Sequence, residues 1–483
     1  MCVQVRVKGV LTIDDFRNVG EVVAGAPHGV PLQPPWEIAS PVVVIDSREV
    51  TGGEIFIALK GENADGHGFI GTVFEKGACW AMVSRQWYEA QGSVEPPPGK
   101  GFIVTDDPVA GLQQLATIYR SKFSIPVVAI GGSNGKTTTK EMVASVLGRG
   151  FKVQMSQGNK NNHLGVPLTL LQLRHDTDIA VVEVGINHPG EMELLARIAR
   201  PTHALLTNIG HEHLEFLLDL DGVAKAETQL FDYLRQNGGT AFVNTDDSRL
   251  CKAAAGLEKS VSYGVANSLG NSCWAREISV NTAGTLSFLL CSSAGTESVS
   301  LNFTGKHNVF NAIAAAAVGQ HFGLSLSQIR VGLERLAPAP GWKRLEVIDS
   351  CGLKILNDTY NANSDSMRGA IDALCDIPCT GKRVAVLGDM LELGVAGEAQ
   401  HEAIGRYIKK SSVDVLFTFG EKALIIGREA PELFQGHFEC REKLLAALLC
   451  VLEAGDTLLF KGSRGMKLEQ VVDALINART ITR

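Results

Sequence analysis

The segment with the clearest chemical meaning is GGSNGKTTT, residues 131–139, which lies between the apolar run IPVVAI and the helix-like KEMVASVLGRGF. Gly132 and Gly135 lack a Cβ, so the backbone can turn several N–H groups toward an anion at the positive end of the following helix. Lys136 is then placed to neutralise outer phosphates, and Thr137 to hold Mg²⁺. The first glycine of the full phosphate-loop pattern is an isoleucine here, so an ordinary strand-to-helix turn is the alternative.

Two further strands are predicted to deliver acidic and histidine side chains to the same sheet edge. Glu183 ends the buried run IAVVEVG, and open α/β sheets bind ligands at the carboxyl ends of their strands. It is a candidate Mg²⁺ ligand, the alternative being a strand-end acid that faces solvent. The run HALLTNIG delivers His211, Glu212 and His213 into a loop. Two histidines without a third ligand support zinc weakly, so we assign His213 to a magnesium site and His211 to a structural role.

Amide and aromatic side chains form two more candidate groups. Asn308 and Asn311 lie one helical turn apart in GKHNVFNAIAAAA, so both amides can face one bound group such as an adenine edge. N-capping by Asn308 is an equal alternative. The run LNDTYNANSDSM places a polar, aromatic-bearing loop directly after a strand, which suits either a binding site or a helix N-terminus. Its candidate residues are Asp358, Tyr360, Asn361, Asn363 and Asp365.

Composition divides the chain into three segments, and we expect an α/β protein of three domains. Residues 1–104 contain short strand-like runs such as PVVVID and EIFIAL and end at the breaker PPPGK, which predicts a small mixed domain. Residues 105–337 begin with an amphipathic docking helix and contain the phosphate loop, which predicts a mononucleotide-binding α/β domain. After the linker APAPGW, residues 338–483 alternate strands (LEVID, LKILND, RVAVLGD, VLFTFG, TLLFKG) with helices, which predicts a Rossmann-like domain. No G-x-G-x-x-G opens that domain, so dinucleotide binding is not expected.

The overall composition excludes some partners. The 483 residues carry a formal charge of -7, which disfavours binding to nucleic acid or anionic lipid. The ten cysteines form no C-x-x-C pair and are typical of reduced thiols, so we expect a cytoplasmic enzyme. The sequence has no signal-peptide pattern and no apolar run approaching the ~18 residues of a membrane span. We expect a monomer, although no residue pattern reports on oligomeric state.

Taken in order, eight segments resemble the ATP-dependent Mur ligases of peptidoglycan synthesis: GGSNGKTTTKEM, GNKNNHLGVPLTLL, EVGINHPGEM, TNIGHEHLEF, GKHNVFNA, NDTYNANSDSM, LGDMLELG and KGSRGMKLE. The resemblance spans the whole chain and implies ATP and Mg²⁺ as cofactors. The YNANSDSM and LGDMLELG segments imply addition of D-alanyl-D-alanine to UDP-N-acetylmuramoyl-tripeptide. The sister enzymes that add the third residue carry a D-N-P-R motif in the last domain, and residues 338–483 of this chain lack that motif.

The resemblance also implies which residues bind each substrate. The UDP-muramoyl group is expected on the first domain, within residues 46–70, at Ser47, Arg48, Lys60, Asp65, Gly66 and His67. ATP and Mg²⁺ are expected between the second and third domains, at Gly132, Ser133, Asn134, Gly135, Lys136, Thr137, Thr138, Glu183, His213, Asn308, Asn311, Arg344, Asp358 and Tyr360. Asn162 resembles a substrate-facing position, and Asn361, Asn363 and Asp389 are the candidates for the dipeptide.

The chain departs from the family pattern at one catalytic position. The family normally has a carbamylated lysine about fourteen residues after the magnesium histidine, and this chain has Glu227 there, in VAKAETQLF. Lys225 is offset by two residues, which on a helix is a rotation of roughly 200°, so it cannot simply substitute. We hypothesise that the Glu227 carboxylate supplies the negative charge directly.

The implied chemistry is activation of a carboxylate by ATP. A free carboxylate is a poor electrophile, and conversion to an acyl phosphate supplies a leaving group that an amine can displace. Lys136 and Mg²⁺ would neutralise charge as the phosphoryl group moves. The alternatives are another ligase of the superfamily, namely the third-residue muramyl ligase or a folylpolyglutamate synthetase, and a non-ligating P-loop switch. A guanine-reading switch should carry N-K-x-D, and residues 159–162, NKNN, lack the aspartate.

Overall fold

The computed structural model describes residues 9–25, 37–265 and 270–481, and the expected α/β fold class is confirmed. Within those residues the strands form one two-stranded sheet and three larger sheets of five, nine and six strands. The larger sheets follow one another along the chain, one in each of the three segments that composition separates. The boundaries at 104/105 and 337/338 stay a prediction. No helix in the described part of the chain has the length and apolarity needed to cross a membrane.

The N-terminal sheet is mixed, because its first strand is antiparallel to its neighbour while the other pairs are parallel. Its strands, in spatial order, are Glu21–Ala24, Gly101–Thr105, Trp80–Ser84, Ile55–Ile57 and Val43–Val44. The last two lie inside the predicted runs EIFIAL and PVVVID. The remaining elements are the strand pair Val10–Leu11 and Ile38–Ala39, the helices Ile13–Arg17, Ile70–Glu75 and Arg85–Ala90, and the 3-10 helix Gly66–Phe69.

The predicted docking helix is Pro108–Arg120. It begins where the Asp107 side chain accepts a hydrogen bond from the Val109 N–H, and a proline at its first position suits the fixed φ of a helix start. Its apolar face is buried, and the Tyr119 hydroxyl donates to the Leu173 carbonyl over 2.7 Å. The helix therefore packs against the central segment.

The central sheet explains why the candidate residues meet. Its strands, in spatial order, are Gly295–Leu301, Leu286–Ser292, Cys273–Val280, Ser260–Gly264, Thr240–Asn244, His203–Leu206, Val127–Gly131, Ile179–Glu183 and Val153–Met155. The strand that enters the phosphate loop has parallel neighbours on both sides, and the register pairs Glu183 with Ile130 and Leu206 with Gly131. All three strands therefore end beside the loop.

Besides the docking helix, nine helices of the described residues belong to this segment, and two of them matter for the site. Lys136–Leu147 follows the phosphate loop directly, and His307–His321, rich in buried alanine, packs against it. The others are Gly165–Leu170, Glu191–Ala199, Leu214–Leu217, Leu220–Glu227, Gln229–Asn237, Ser248–Ala254 and Leu326–Arg335.

The C-terminal sheet is parallel except for one antiparallel edge hairpin. Its strands, in spatial order, are Glu346–Ser350, Leu353–Asp358, Thr457–Lys461, Arg383–Gly388, Val415–Phe419 and Phe434–Phe438. Its helices are Ser364–Asp376, Gly397–Ile408, Leu424–Glu429, Arg441–Val451 and Glu469–Ile481, with 3-10 helices Gly394–Ala396 and Arg464–Met466. Leu424–Glu429 and the edge strand Phe434–Phe438 were not predicted from the sequence. That strand reads FQGHF, and its polar and glycine residues hide the apolar pattern of a strand.

Candidate active site

A cleft of about 1140 Å³ lies between the central and C-terminal segments, at the carboxyl ends of the strands described above. Fourteen of the predicted site residues line it: Ser133, Asn134, Gly135, Lys136, Thr137, Thr138, Asn162, Glu183, His213, Asn308, Asn311, Arg344, Asp358 and Tyr360. Asn361 and Asn363 line it as well. The cleft therefore unites side chains that lie far apart along the sequence.

The phosphate loop has glycine where no other residue fits. Gly132 has φ +102° and Gly135 φ +84°, the region that favours glycine. A Cβ on Gly132 would lie 2.6 Å from the Thr207 backbone nitrogen, and one on Gly135 would lie 2.5 Å from Asn311 Oδ1. Both glycines are therefore required by close approach as well as by φ.

The first backbone N–H groups of the loop donate within the protein, whereas the sequence predicted that they would face an anion. Gly132 N–H donates to Glu227 Oε2 over 2.8 Å, and the next two N–H groups, of Ser133 and Asn134, donate to Asn208. Gly132 does not line the cleft, so its part in an ATP site is to shape the loop. The first N–H groups of the helix Lys136–Leu147 have no intrahelical acceptor and remain the donors suited to an anion.

Lys136 is held by its own loop. Its Nζ donates to the carbonyl oxygens of Gly132 over 2.6 Å and Ser133 over 3.1 Å, and lies 3.4 Å from Glu212 Oε2. Burial acts to lower the pKa of Lys136, but the carboxylates of Glu212, Glu227 and Glu183 outweigh it and raise that pKa above its usual value. Lys136 is therefore a fixed positive charge in the cleft.

Thr137, Glu183 and Asn161 form one buried group. Glu183 Oε1 accepts hydrogen bonds from the Thr137 hydroxyl over 3.2 Å and from Asn161 Nδ2 over 2.9 Å. Glu183 Oε2 lies 3.6 Å from Lys140 Nζ and, although buried, accepts no hydrogen bond. The neighbouring Glu212 Oε1 is likewise buried and unpartnered. These two carboxylate oxygens, which accept no hydrogen bond, and the Thr137 hydroxyl belong to residues that line the cleft, and they are the hard oxygen donors that suit Mg²⁺.

The two histidines both contact the C-terminal segment. His213 Nδ1 lies 2.7 Å from Glu392 Oε2, and His211 Nδ1 lies 3.0 Å from Asp365 Oδ2. Asp365 also accepts the His211 backbone N–H over 2.8 Å. His211 thus serves to join the segments, whereas His213 keeps its Nε2 turned to the region of Glu212, 3.8 Å from Glu212 Oε2.

Glu227 does not take the position expected of it. It is fully buried beneath the phosphate loop, bonded to Gly132, and does not line the cleft. Burial raises the pKa of Glu227 to about 7, with Glu212 adding to the rise and the positive charge of Lys136 opposing it. Direct contact between Glu227 and a metal in the cleft is therefore not supported. Lys225, two residues earlier, is exposed, as its helical offset predicts.

The predicted amide pair lies beside the phosphate loop, and its amides bond within the protein. Asn308 Nδ2 donates to the Thr304 carbonyl over 2.7 Å, and Asn311 Nδ2 donates to Asn308 Oδ1 over 2.9 Å. Asn311 Oδ1 also accepts from the Thr139 hydroxyl. Both side chains still line the cleft, so an adenine contact stays a prediction.

The C-terminal segment brings charged and aromatic groups to the cleft. Arg344 donates to the Thr137 hydroxyl over 3.1 Å, and its guanidinium lies 3.8 Å from the centre of the Tyr360 ring. Asp358 Oδ2 accepts from Lys461 Nζ over 2.6 Å, and Asp358 Oδ1 accepts from the Leu345 N–H. Arg344, Asp358 and Tyr360 form a wall that faces the phosphate loop, and Arg344 contributes the positive charge of that wall.

Of the polar residues predicted to contact substrate, Asn162 and Asn363 line the cleft and Asp389 does not. Asn363 Nδ2 donates to Asn134 Oδ1 over 3.0 Å, which joins the segments, and its Oδ1 caps the helix Ser364–Asp376. Asn162 Oδ1 accepts two backbone N–H groups that begin the helix Gly165–Leu170. Asp389 is buried outside the cleft, and its carboxylate accepts the Ala423 N–H over 2.7 Å. Asp389 therefore fixes a loop rather than facing a dipeptide.

The first-domain candidates divide into surface and structural residues. Ser47, Arg48, Lys60 and Asp65 lie at or near the surface, with Arg48 paired to Asp46. His67 is buried; its Nε2 accepts the Ser84 N–H over 3.0 Å and its Nδ1 lies 2.6 Å from Asp65 Oδ1. Because both ring nitrogens are occupied, His67 has a structural role. Gly66 lacks room for a Cβ, which would lie 2.8 Å from the Leu59 backbone.

Several cleft residues were missed from the sequence. Asn161 and Glu212 were passed over for their neighbours Asn162 and His213, although both lie in the motifs quoted. Lys461 ends the strand beside that of Asp358, a signal that strand order could have given. Further charged or titratable residues of the cleft that were missed include Asp246, Asp247, Arg249, His307, Glu392 and Arg464.

Comparison with known proteins agrees with this geometry. Three family models match the chain: "Mur ligase family, catalytic domain" at residues 42–115, "Mur ligase middle domain" at 130–319 and "Mur ligase, glutamate ligase domain" at 343–464. The chain belongs to the Mur ligase family.

Individual relatives carry more specific names. The UDP-N-acetylmuramoyl-tripeptide–D-alanyl-D-alanine ligase of Bacillus subtilis is 37% identical over 441 residues, which cover 90% of this chain and 93% of that protein. A crystal structure of MurF from Acinetobacter baumannii is 31% identical, with a TM-score of 0.83 and coverage of 98% of this chain and 100% of that one. The MurF ligase of Thermotoga maritima, solved with ADP, is 27% identical with a TM-score of 0.80, over 92% and 99% of the two chains.

Proposed function

We propose that this enzyme joins D-alanyl-D-alanine to UDP-N-acetylmuramoyl-tripeptide at the expense of ATP. The observation that carries the proposal is the Thr137 hydroxyl, which contacts both Glu183 of its own segment and Arg344 of the C-terminal segment. A phosphate loop shared in this way between two segments suits transfer of a phosphoryl group to a carboxylate brought in at their interface. The names of the relatives support the choice of substrates.

The reaction has two steps. A terminal carboxylate oxygen of the tripeptide forms a bond to the γ-phosphorus while the bond to the β–γ bridging oxygen breaks, leaving ADP and an acyl phosphate. The D-alanyl-D-alanine amine then bonds to the acyl carbon, inorganic phosphate departs, and the amine loses a proton. Lys136 and Arg344 neutralise the oxygens whose negative charge shifts in the first step. Closure of the cleft excludes water from the acyl phosphate.

The residues present fit the Mg²⁺ that the family implies. Thr137, Glu183 and His213 are the proposed ligands, and the unpartnered oxygen of Glu212 adds a fourth ligand, which is the third oxygen donor. Mg²⁺, when bound, supplies neutralisation of the phosphate charges. The chain's own part is to hold these donors in place: Asn161 fixes one oxygen of Glu183, while the other accepts no hydrogen bond.

The remaining substrate contacts follow from position. We propose that ATP lies between the helix start at Lys136 and the wall formed by Arg344, Asp358 and Tyr360, with Asn308 and Asn311 nearby. Ser47, Arg48 and Lys60 are proposed for the UDP-muramoyl group, and Asn162, Asn361 and Asn363 for the tripeptide end and the dipeptide. The nine cysteines among the described residues are free thiols, which supports a cytoplasmic location. A monomeric state stays a prediction.

The test is a ligation assay with purified enzyme. Phosphate release is measured with ATP and Mg²⁺ while UDP-muramoyl-tripeptide and D-alanyl-D-alanine are supplied singly and together, and the UDP-pentapeptide is identified by mass. We expect phosphate release only with both substrates, at one phosphate for each amide bond. Release with neither would favour a nucleotide switch, and release with a folate or with a single amino acid in place of the dipeptide would favour a sister ligase. Tripeptides ending in lysine and in diaminopimelate should be compared.

A further inference from the structure

The contact between His213 and Glu392 crosses the boundary between the central and C-terminal segments. His213 precedes the short helix Leu214–Leu217, and Glu392 lies in the LGDMLELG loop after the strand Arg383–Gly388. His213 Nδ1 and Glu392 Oε2 are 2.7 Å apart. The side chain of His213 is only 15% exposed, so its ring is held rather than free to rotate.

The backbone at this contact is specialised on both sides. His213 has φ +51° and Glu392 φ +63°, values in the left-handed region that residues with a Cβ adopt only with backbone strain. The Glu392 carbonyl also accepts the Glu215 N–H over 3.1 Å. Gly394 has φ +51° and lies so close that a Cβ there would come within 2.9 Å of Glu215 Cα. The LGDMLELG loop thus docks on the first turn after His213 through backbone contacts as well as through the carboxylate.

The carboxylate fixes which ring nitrogen carries the proton. An ionised Glu392 only accepts hydrogen bonds, so His213 Nδ1 must be the donor, and the neutral ring then has its lone pair on Nε2. Nε2 is the nitrogen nearer to Glu212, whose buried Oε1 has no partner. A histidine with one nitrogen donating to a carboxylate and the other free is the arrangement that proteins use to orient a metal ligand.

From this geometry we infer that Glu392 is a positioning residue, which fixes the tautomer and orientation of His213 for Mg²⁺ and does so only while the C-terminal segment is docked. The inference rests on the proposed function, since it assumes His213 as a magnesium ligand. Docking of the C-terminal segment and readiness of the metal site become one event. When the C-terminal segment is undocked, the enzyme would hold the cation less tightly. ATP would then not be activated before the C-terminal wall completes the cleft.

The test uses the full-length enzyme and two readouts other than turnover. The first is the ¹⁵N–¹H long-range spectrum of histidine-labelled, metal-free protein, in which the signal lost in His213→Gln identifies the His213 ring and its tautomer. The second is the affinity for Mn²⁺ in the presence of ADP, measured by electron paramagnetic resonance. The Glu392→Ala variant should lose the pure Nδ1–H pattern and weaken Mn²⁺ binding by about 10- to 100-fold.

Three further variants make the result specific. Glu392→Gln keeps an amide oxygen that can accept from Nδ1, so it should retain the tautomer and lose less affinity. Gly394→Val keeps Glu392 but crowds the Glu215 backbone, so it should reproduce the Glu392→Ala spectrum. Glu398→Ala removes an exposed carboxylate of the helix Gly397–Ile408 and should match the wild-type enzyme in both readouts. Circular dichroism confirms that each variant is folded.

The outcomes separate this inference from the proposed function. If His213→Gln and Glu183→Gln weaken Mn²⁺ binding while Glu392→Ala changes neither the tautomer nor the affinity, the positioning role is overturned and the metal site stands. If neither His213→Gln nor Glu183→Gln affects Mn²⁺ binding, the metal site itself is wrong. Loss of both readouts in Glu398→Ala would show a general charge effect and would also overturn the specific role of Glu392.

Discussion

Arg344 and Thr137 belong to different segments of the chain, yet the Arg344 guanidinium donates to the Thr137 hydroxyl over 3.1 Å. The same hydroxyl lies 3.2 Å from Glu183 Oε1. Thr137 is thus contacted both by Glu183, the expected metal ligand, and by Arg344 from the other side of the cleft. The C-terminal segment is therefore part of the nucleotide site rather than a neighbour of it.

Replacement of Arg344 by alanine should weaken ATP binding more than it slows the chemical step at saturation. Arg344 lies over the Tyr360 ring and reaches the phosphate loop, so its loss removes a charge-assisted contact of about 1.5–3 kcal/mol. We expect KM for ATP to rise about tenfold or more. Steady-state kinetics with varied ATP and saturating peptide substrates give the measurement. Arg335→Ala, an exposed arginine of the preceding helix, is the control, and an unchanged KM in Arg344→Ala would contradict the assignment.

Replacement of Lys136 by methionine should abolish most of the turnover. Three carboxylates keep the Lys136 ammonium charged, and it is the cation best placed to follow charge onto the leaving phosphate. Loss of one such stabilising group costs about 100- to 1000-fold in kcat. The measurement is phosphate release at saturating substrates. Lys259→Met changes an exposed lysine of the same segment and should leave kcat as it was, whereas wild-type turnover in Lys136→Met would refute the whole mechanism.

The buried carboxyl of Glu227 predicts a pH-dependent loss of stability. Burial raises its pKa to about 7 in the folded protein, from 4.5 in the unfolded chain. Between these two values the folded state binds more protons than the unfolded state, so the free energy of unfolding falls as the pH rises through this interval. Glu227→Gln cannot ionise and should not show this component. The difference in Tm between Glu227→Gln and the wild-type enzyme should therefore grow by a few degrees from about pH 5 to about pH 8.

Two controls define what the Glu227 experiment shows. Glu258→Gln removes an exposed carboxylate of the same segment and should give a Tm difference that is flat with pH. A flat difference in Glu227→Gln itself would contradict the raised pKa. Turnover is a separate question: if Glu227→Ala kept full activity while Lys225→Ala lost it, the hypothesis that Glu227 replaces the modified lysine of the family would be wrong.

The sequence predicted those parts of the site that depend on local pattern and strand order. The phosphate loop and Glu183 follow from a buried strand that ends in a glycine turn or an acid, because parallel strands bring their carboxyl ends together. Contacts across the cleft had no such signal. Glu392 is one acid in a loop 179 residues from His213, and only the docking of two segments makes them partners.

Three predicted site residues bond within the protein, and they share a physical reason. Asp389 and His67 are polar residues next to functional-looking motifs, and the sequence does not show whether a polar group faces a ligand or an internal N–H. In the structure, Asp389 accepts the Ala423 N–H and His67 accepts the Ser84 N–H. Glu227 was hypothesised to supply negative charge at the metal site because it lies fourteen residues after His213, and the helix Leu220–Glu227 presents it to the underside of the phosphate loop.

The revised role of His67 gives a prediction that separates structure from binding in the first domain. A backbone N–H can only donate, so His67 Nε2 must accept from Ser84, and the proton on Nδ1 is directed to Asp65. His67→Ala would leave the Ser84 N–H without a partner and open a cavity, at a cost of about 2–4 kcal/mol measured by denaturant unfolding. Its KM for UDP-muramoyl-tripeptide should stay near that of the wild-type enzyme. Arg48→Ala, an exposed residue, should do the reverse, raising this KM without lowering stability. A raised KM in His67→Ala with unchanged stability would restore His67 to the substrate site.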